Sequence, residues 1–307
     1  VALWGLGGGI ATALVLAVGA AAGPVGAPAG TPRAASVAAS REAPRPRVAA
    51  APVPAAGRPA ARGPRVVLPP GNAAFDYQLG GAYRPASGVR IVVRDRRATP
   101  VRGRYGVCYV NAFQTQPQEA AWWTAEHPDL LLRRDGRPVA DEDWPDELLL
   151  DTSTAAKREA IAGIVGRWID GCAAAGFDAV EPDNLDSWTR SRGGLGREDN
   201  VALARLLAAR AHAAGLAIAQ KNAAELAPRG RRIGFDFAIA EECQVYAECG
   251  AYVRAYGRRV LEVEYDDAGG PRNFRAACRA RGRRIAVTYR DRDLVRRGER
   301  GYAFRRC

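Results

Sequence analysis

The acids of this chain gather where chemistry could use them. Glu181, Asp183 and Asp186 fall within "EPDNLD" (181–186), directly after the apolar run "FDAV". A second group, Glu241 and Glu242, follows another apolar run, and Lys221 stands between the two groups beside Asn222. Paired carboxylates held about 5–9.5 Å apart can cleave a glycosidic bond, one as nucleophile or base and the other as acid. Neighbouring amide and ammonium groups bind hydroxyls or shift carboxylate pKa values. Asp183, Asp186 and Glu241 could instead hold Mg²⁺ or Ca²⁺ through oxygen, although Lys221 would compete with the cation.

Other chemistries fit poorly. The two histidines, His127 in an expected loop and His212 late in an expected helix, give no serine triad. The six cysteines have no CxxC spacing for zinc. No GxGxxG follows the first expected strand, and neither a P-loop nor an EF-hand is present. Neither a metal nor a cofactor is expected.

The elements that must carry these residues alternate. Apolar runs read as strands at 75–79, 89–94, 105–112, 177–182, 216–221, 235–241, 259–265 and 284–289, with helices at 154–175, 197–214, 244–256 and 271–281. Gly176, Gly215, Gly257 and Gly282 close those helices where C-cap glycines belong. The pattern predicts a (β/α)₈ TIM barrel, with a doubly wound open sheet as runner-up. Active sites of such barrels lie at the C-terminal strand ends. There stand Asp95, Tyr109, Asn111, Glu181, Asp183, Asn184, Asp186, Lys221, Asn222, Glu241, Glu242, Glu262, Glu264 and Tyr265. One of two lysines and three of six asparagines lie at these ends, in a chain otherwise biased toward Ala and Arg. Strand parity does not choose between Glu181 and Asp183, which share a face. Only one of Glu241 and Glu242 should enter the bowl.

Net charge is +12 over 307 residues, but residues 1–70 hold seven Arg against one acid. No basic run is interleaved with aromatics, so nucleic acid is not an expected partner. Residues 2–22 are uncharged and apolar, and 1–22 read as a signal peptide or a membrane anchor. The Ala/Pro/Arg-rich stretch 23–72 reads as a disordered linker, and the barrel is expected over 73–307. Export and an even cysteine count suggest three disulfides, expected as 243–249, 278–307 and, by exclusion, 108–172. A monomer is expected, secreted or attached to the cell surface, meeting a membrane only if the N-terminal segment stays uncleaved.

"FDAVEPDNLD" (177–186), "AQKNA" (219–223), "FDFAIAEECQVYAEC" (235–249) and "EVEY" (262–265), with "YQL" (77–79) and "GVCYVNAF" (106–113), occur in order. Together they resemble glycoside hydrolase family 114, the endo-α-1,4-polygalactosaminidase-like barrels. The resemblance covers about residues 74–307. It implies retaining cleavage of α-1,4-linked galactosamine polymers, with Asp183 as nucleophile and Glu241 as acid/base. Asp95, Asp186, Lys221, Asn222 and Tyr265 become substrate-site residues by the same resemblance. Tyr109, Glu181 and Asn184 join them as strand-end residues, with Glu181 orienting its neighbours. The chain departs from the family pattern at Tyr77 (usually Trp), Ala240 (Asn) and Glu242 (Gln), which affects substrate contacts and spares both acids. The alternatives are a noncatalytic carbohydrate- or cell-wall-binding barrel and a metal-dependent hydrolase using the same acids.

Overall fold

The computed structural model describes residues 65–307. The signal-or-anchor reading of 1–22, and the linker reading up to residue 64, lie outside the described residues. Val66 and Leu68 already pack against the barrel's inner cluster, ahead of the start expected at residue 73. Among the described residues no helix is long and apolar enough to cross a membrane.

Eight parallel strands curl in chain order: β1 (Phe75–Gln78), β2 (Ile91–Asp95), β3 (Tyr105–Asn111), β4 (Ala179–Asp183), β5 (Ala217–Lys221), β6 (Phe237–Glu241), β7 (Val260–Tyr265) and β8 (Ala286–Arg290). Each matches an expected strand to within two residues at either end. Alternation sorts the side chains. Phe75, Tyr77, Ile91, Val93, Val107, Ala179, Ala217, Ala219, Phe237, Ile239 and Val263 fill the interior. Large residues on β1 and β6 pack in one cluster with small ones on β4 and β5. Cys108, Val110, Val180, Ile218 and Ala238 face outward, in one cluster with Ile161, Ile169 and Leu207 of the helices.

The helices are α1 (Ala120–Glu126), α2 (Ala155–Ala175), α3 (Arg197–Ala213), α4 (Gly230–Ile233), α5 (Cys249–Tyr256) and α6 (Gly270–Arg281). Thr154 caps α2 by accepting from the Lys157 N–H, and Gly176 ends it at φ 89°. The helix expected from residue 244 begins only at Cys249. Left-handed backbone at Glu242 and Ala247, and the Cys243–Cys249 disulfide, make 242–248 a loop.

The ring is not closed by a ladder. A final strand, β9 (Phe304–Arg306), pairs antiparallel with β8 and takes its free edge. Side chains cross the seam instead: the Thr288 hydroxyl donates to the Phe75 carbonyl at 3.0 Å, and the Arg290 guanidinium donates to the Tyr77 carbonyl. The disulfides are Cys108–Cys172, Cys243–Cys249 and Cys278–Cys307, the three expected pairs.

The irregular stretch between β3 and α2 is an arm. It carries α1 and a two-stranded hairpin (Arg133–Arg134 with Arg137–Pro138). The bridges Gln114↔Leu149, Leu131↔Leu150 and Ala140↔Leu148 fold it back. Leu132, Val139 and Leu149 of the arm pack with Leu195, from the loop ahead of α3, in a small separate core. This folding brings residues 141–147 to the barrel rim.

Candidate active site

A cavity of about 430 Å³ opens at the C-terminal strand ends. Lys221, at the end of β5, organises its floor. Its side chain is 2 % exposed, and the ammonium lies 2.9 Å from Asp183 Oδ1, 3.1 Å from Glu241 Oε2 and 3.3 Å from Glu181 Oε1. Burial alone would discharge it, but Asp183, Glu241 and Glu181 hold its pKa well above the usual value.

The three carboxylates differ. Asp183 accepts from the Tyr109 hydroxyl at 2.7 Å, the Asn184 N–H at 2.8 Å and Lys221. Burial pushes its pKa up, but Lys221 and these donors outweigh that and hold it below the ordinary range. Glu241 accepts from the Tyr265 hydroxyl at 2.5 Å and Asn222 Nδ2 at 3.0 Å, while its own N–H donates to Asn222 Oδ1. Glu181 is fully buried beneath the floor, bonded by the Tyr77 hydroxyl at 2.6 Å. Burial raises it to about 7 against the pull of Lys221.

Asn184, Asn222 and Glu242 each follow the last residue of a strand, and all have left-handed φ, at 63°, 47° and 56°. Asn tolerates this conformation best among non-glycine residues. Two of the scarce asparagines thus turn the chain at the rim and also bind the flanking acids. The bulk of Glu242 is held by the Arg292 guanidinium, which also pairs with Asp267 at 2.8 Å and stacks 4.1 Å over the Tyr265 ring.

The structure brings Tyr109, Asp183, Asn184, Lys221, Asn222, Glu241 and Tyr265 into one lining. Three expected residues fall elsewhere. Asp95 has the inward parity, but Gln116 and Arg97 hold it at the rim outside the cavity. Asp186 pairs with Arg190 at 2.9 Å and lines an adjoining groove with Glu242, Tyr246 and Glu248. Glu181 sits below the lining rather than in it. Glu262 and Glu264, counted among the bowl's acids in sequence, face outward on β7 and are bound by Arg281 and Asn273.

Several lining residues were not foreseen: Asp141, Asp143, Trp144 and Glu147 from the arm, together with Arg190 and Arg292. Glu147 receives Asn111 Nδ2 at 2.9 Å and Asn184 Nδ2 at 3.4 Å. Burial and the Asp183 charge push it up to about 7. They come from a stretch with no alternating pattern, so no strand end places them.

In the described residues, Cys243, Cys249, Glu262 and Glu264 lie close enough to share a metal ion. The two cysteines are joined to each other, so neither offers a thiolate.

Known proteins place this geometry. No curated protein matches the chain in sequence. Among solved structures, Ega3 of Aspergillus fumigatus in complex with galactosamine is 23% identical, covering 81% of this chain and 99% of its own, with a TM-score of 0.61. The glycoside hydrolase domain of PelA from Pseudomonas aeruginosa is 15% identical over 74% of this chain and 97% of its own, with a TM-score of 0.51. These likenesses establish the shared fold. The sequence profile of glycoside-hydrolase family GH114 matches residues 55–307, most of the chain, and the chain therefore belongs to that family and is a glycoside hydrolase.

Proposed function

We propose that this hydrolase is exported and cuts within an α-1,4-linked galactosamine-type polymer, with Asp183 as nucleophile and Glu241 as acid/base. The observation that carries the reading is that one buried ammonium touches both acids, at 2.9 and 3.1 Å. Their nearest oxygens therefore lie no further apart than these two distances joined end to end. Contact through one shared ammonium favours the short separation of a retaining pair, roughly 5–5.5 Å, over the roughly 6.5–9.5 Å an inverting enzyme leaves for water.

Asp183, kept ionised by Lys221 and Tyr109, attacks the anomeric carbon. The bond to the glycosidic oxygen breaks, and that oxygen takes the proton of Glu241 and leaves as an alcohol. Water then adds to the same carbon, gives its proton to Glu241 and expels Asp183. Through both steps Lys221 remains bound to Glu181, so the floor keeps its cation in place.

Two further observations support an internal cut in a cationic chain. The cavity and the adjoining groove share Asn222, Glu241 and Arg292, so a polymer can lie across Glu241 with sugars on both sides. Nine acids line the two together: Asp141, Asp143, Glu147, Asp183, Asp186, Glu241, Glu242, Glu248 and Asp293. A galactosamine-bound relative agrees with that charge. Three disulfides support export.

The test is incubation of wild type, Asp183→Asn and Glu241→Gln with de-N-acetylated galactosamine polymer, reading products by mass spectrometry. Wild type should release internal fragments, and both variants should lose at least about a thousandfold in kcat while melting normally. Turnover like wild type in either variant refutes the assignment. Binding without products leaves a carbohydrate-binding barrel. Activity removed by chelation and restored by Mg²⁺ points to the metal-dependent reading.

A further inference from the structure

Within the cavity, Asp183 and Glu241 share Lys221, and Asp141 pairs with Arg190 at 2.6 Å. Glu147, also partly buried there, differs. It has no cationic partner among the described residues, and its two protein donors are the neutral amides of Asn111 and Asn184, both on Oε2. Oε1 has no protein donor among the described residues. A carboxylate withdrawn from water without a countercharge is costly. Burial, with the Asp183 charge nearby, accordingly pushes its pKa up to about 7. Three residues earlier on the arm, Trp144 lines the same cavity with 53% of its surface exposed, a flat apolar face beside an unmatched charge.

We propose that Glu147 reads the substituent on the sugar nitrogen: its free oxygen pairs with the ammonium of a de-N-acetylated residue stacked on Trp144, favouring free amines over acetamides. This rests on the amino-sugar reading above. An ammonium brings three donors and the missing charge. An acetamide brings one neutral donor and a bulky acyl group, and leaves Glu147 either unpaired or protonated. Asn111 and Asn184 aim the carboxylate, and neither changes its charge.

The test compares Glu147→Gln, which keeps the shape and an oxygen for the two amides, with wild type on matched oligomers, galactosamine and N-acetylgalactosamine. Cleavage gives kcat and KM, and calorimetry gives direct binding. The expected result is that Glu147→Gln raises KM and Kd for the free-amine oligomer about tenfold or more, changes kcat little, and does not weaken the acetylated oligomer, which no longer strands a charge. Trp144→Ala should weaken both oligomers alike. Equal effects of Glu147→Gln on the two oligomers, or none, overturn the proposal. If wild type binds but cleaves neither oligomer, the hydrolytic reading fails while the binding comparison still decides the role of Glu147. If wild type binds neither, both fall.

Discussion

Lys221 Nζ lies 2.9 Å from Asp183 Oδ1 at the floor of the cavity, and nearly all of that ammonium is out of water. Its charge, with the Tyr109 hydroxyl and the Asn184 N–H, holds the Asp183 carboxyl below its ordinary range where burial alone would raise it.

Lys221→Met removes that charge and leaves Glu181, Asp183 and Glu241 facing one another. Breaking a buried pair by deleting one partner costs about 3–5 kcal/mol. The variant should lose at least about a hundredfold in kcat/KM. It should also become more stable as pH falls and the stranded acids protonate. Urea titration at pH 5 and pH 8 checks this, and a variant equally stable at both pH values would contradict it.

Glu264 is pushed up from 4.5 to about 8, with burial as the main cause. A carboxyl raised on folding stabilises fully below its unfolded pKa, and that contribution is lost as pH rises through the folded value. Between about pH 4.5 and 8 it therefore makes stability decline. Glu264→Gln should flatten the decline relative to wild type in denaturant midpoints measured across that range. A slope unchanged from wild type would remove Glu264 as its source.

The Cys108–Cys172 bridge spans 64 residues and the Cys243–Cys249 bridge only 6. Loop-closure entropy makes the first worth about 4 kcal/mol and the second about 2 kcal/mol. The two double-serine variants should differ in melting temperature in that order. Kinetics should reverse the order: the short loop adjoins Glu241, whereas Cys172 lies on α2, away from the cavity. A long-bridge variant that loses more activity than the short-bridge one would break this link.

Arg292 joins three rim segments, through Glu242, Asp267 and its stack on Tyr265, whose hydroxyl bonds Glu241. Arg292→Ala should lower kcat/KM about tenfold, with Arg292→Lys recovering only part because it has no planar fork to stack and bridge. Full recovery by lysine would reduce the role to charge alone.

The barrel was legible because its signals are local. Apolar runs mark all eight strands, and glycines close the helices ahead of β4, β5, β7 and β8. The floor of the site was legible for a related reason: strand ends are fixed once strands are, so Asp183, Lys221 and Glu241 could be placed together. What escaped depends on contacts distant in sequence. Asp95 turns to Gln116, and Glu147 reaches the cavity only because Leu131, Leu149 and Leu150 fold the arm back. The outward facing of Glu262 and Glu264 was available from parity, since they alternate with Leu261, Val263 and Tyr265 inside the barrel. The seam between β1 and β8 carries no periodic signature.

Three neighbouring strands hand over to left-handed residues at the rim, and Ala223 extends this at φ 57°. Non-glycine backbone in that region costs about 1–3 kcal/mol at each position. The heat tolerance of this enzyme and its chemistry are therefore in competition at the same few peptide units. Selection for thermal stability alone should be drawn to the rim, where glycine at Ala223 or Glu242 relieves the backbone. Variants obtained that way should melt later and cut more slowly, because the turns they relax hold Asp183, Lys221 and Glu241 around a common point.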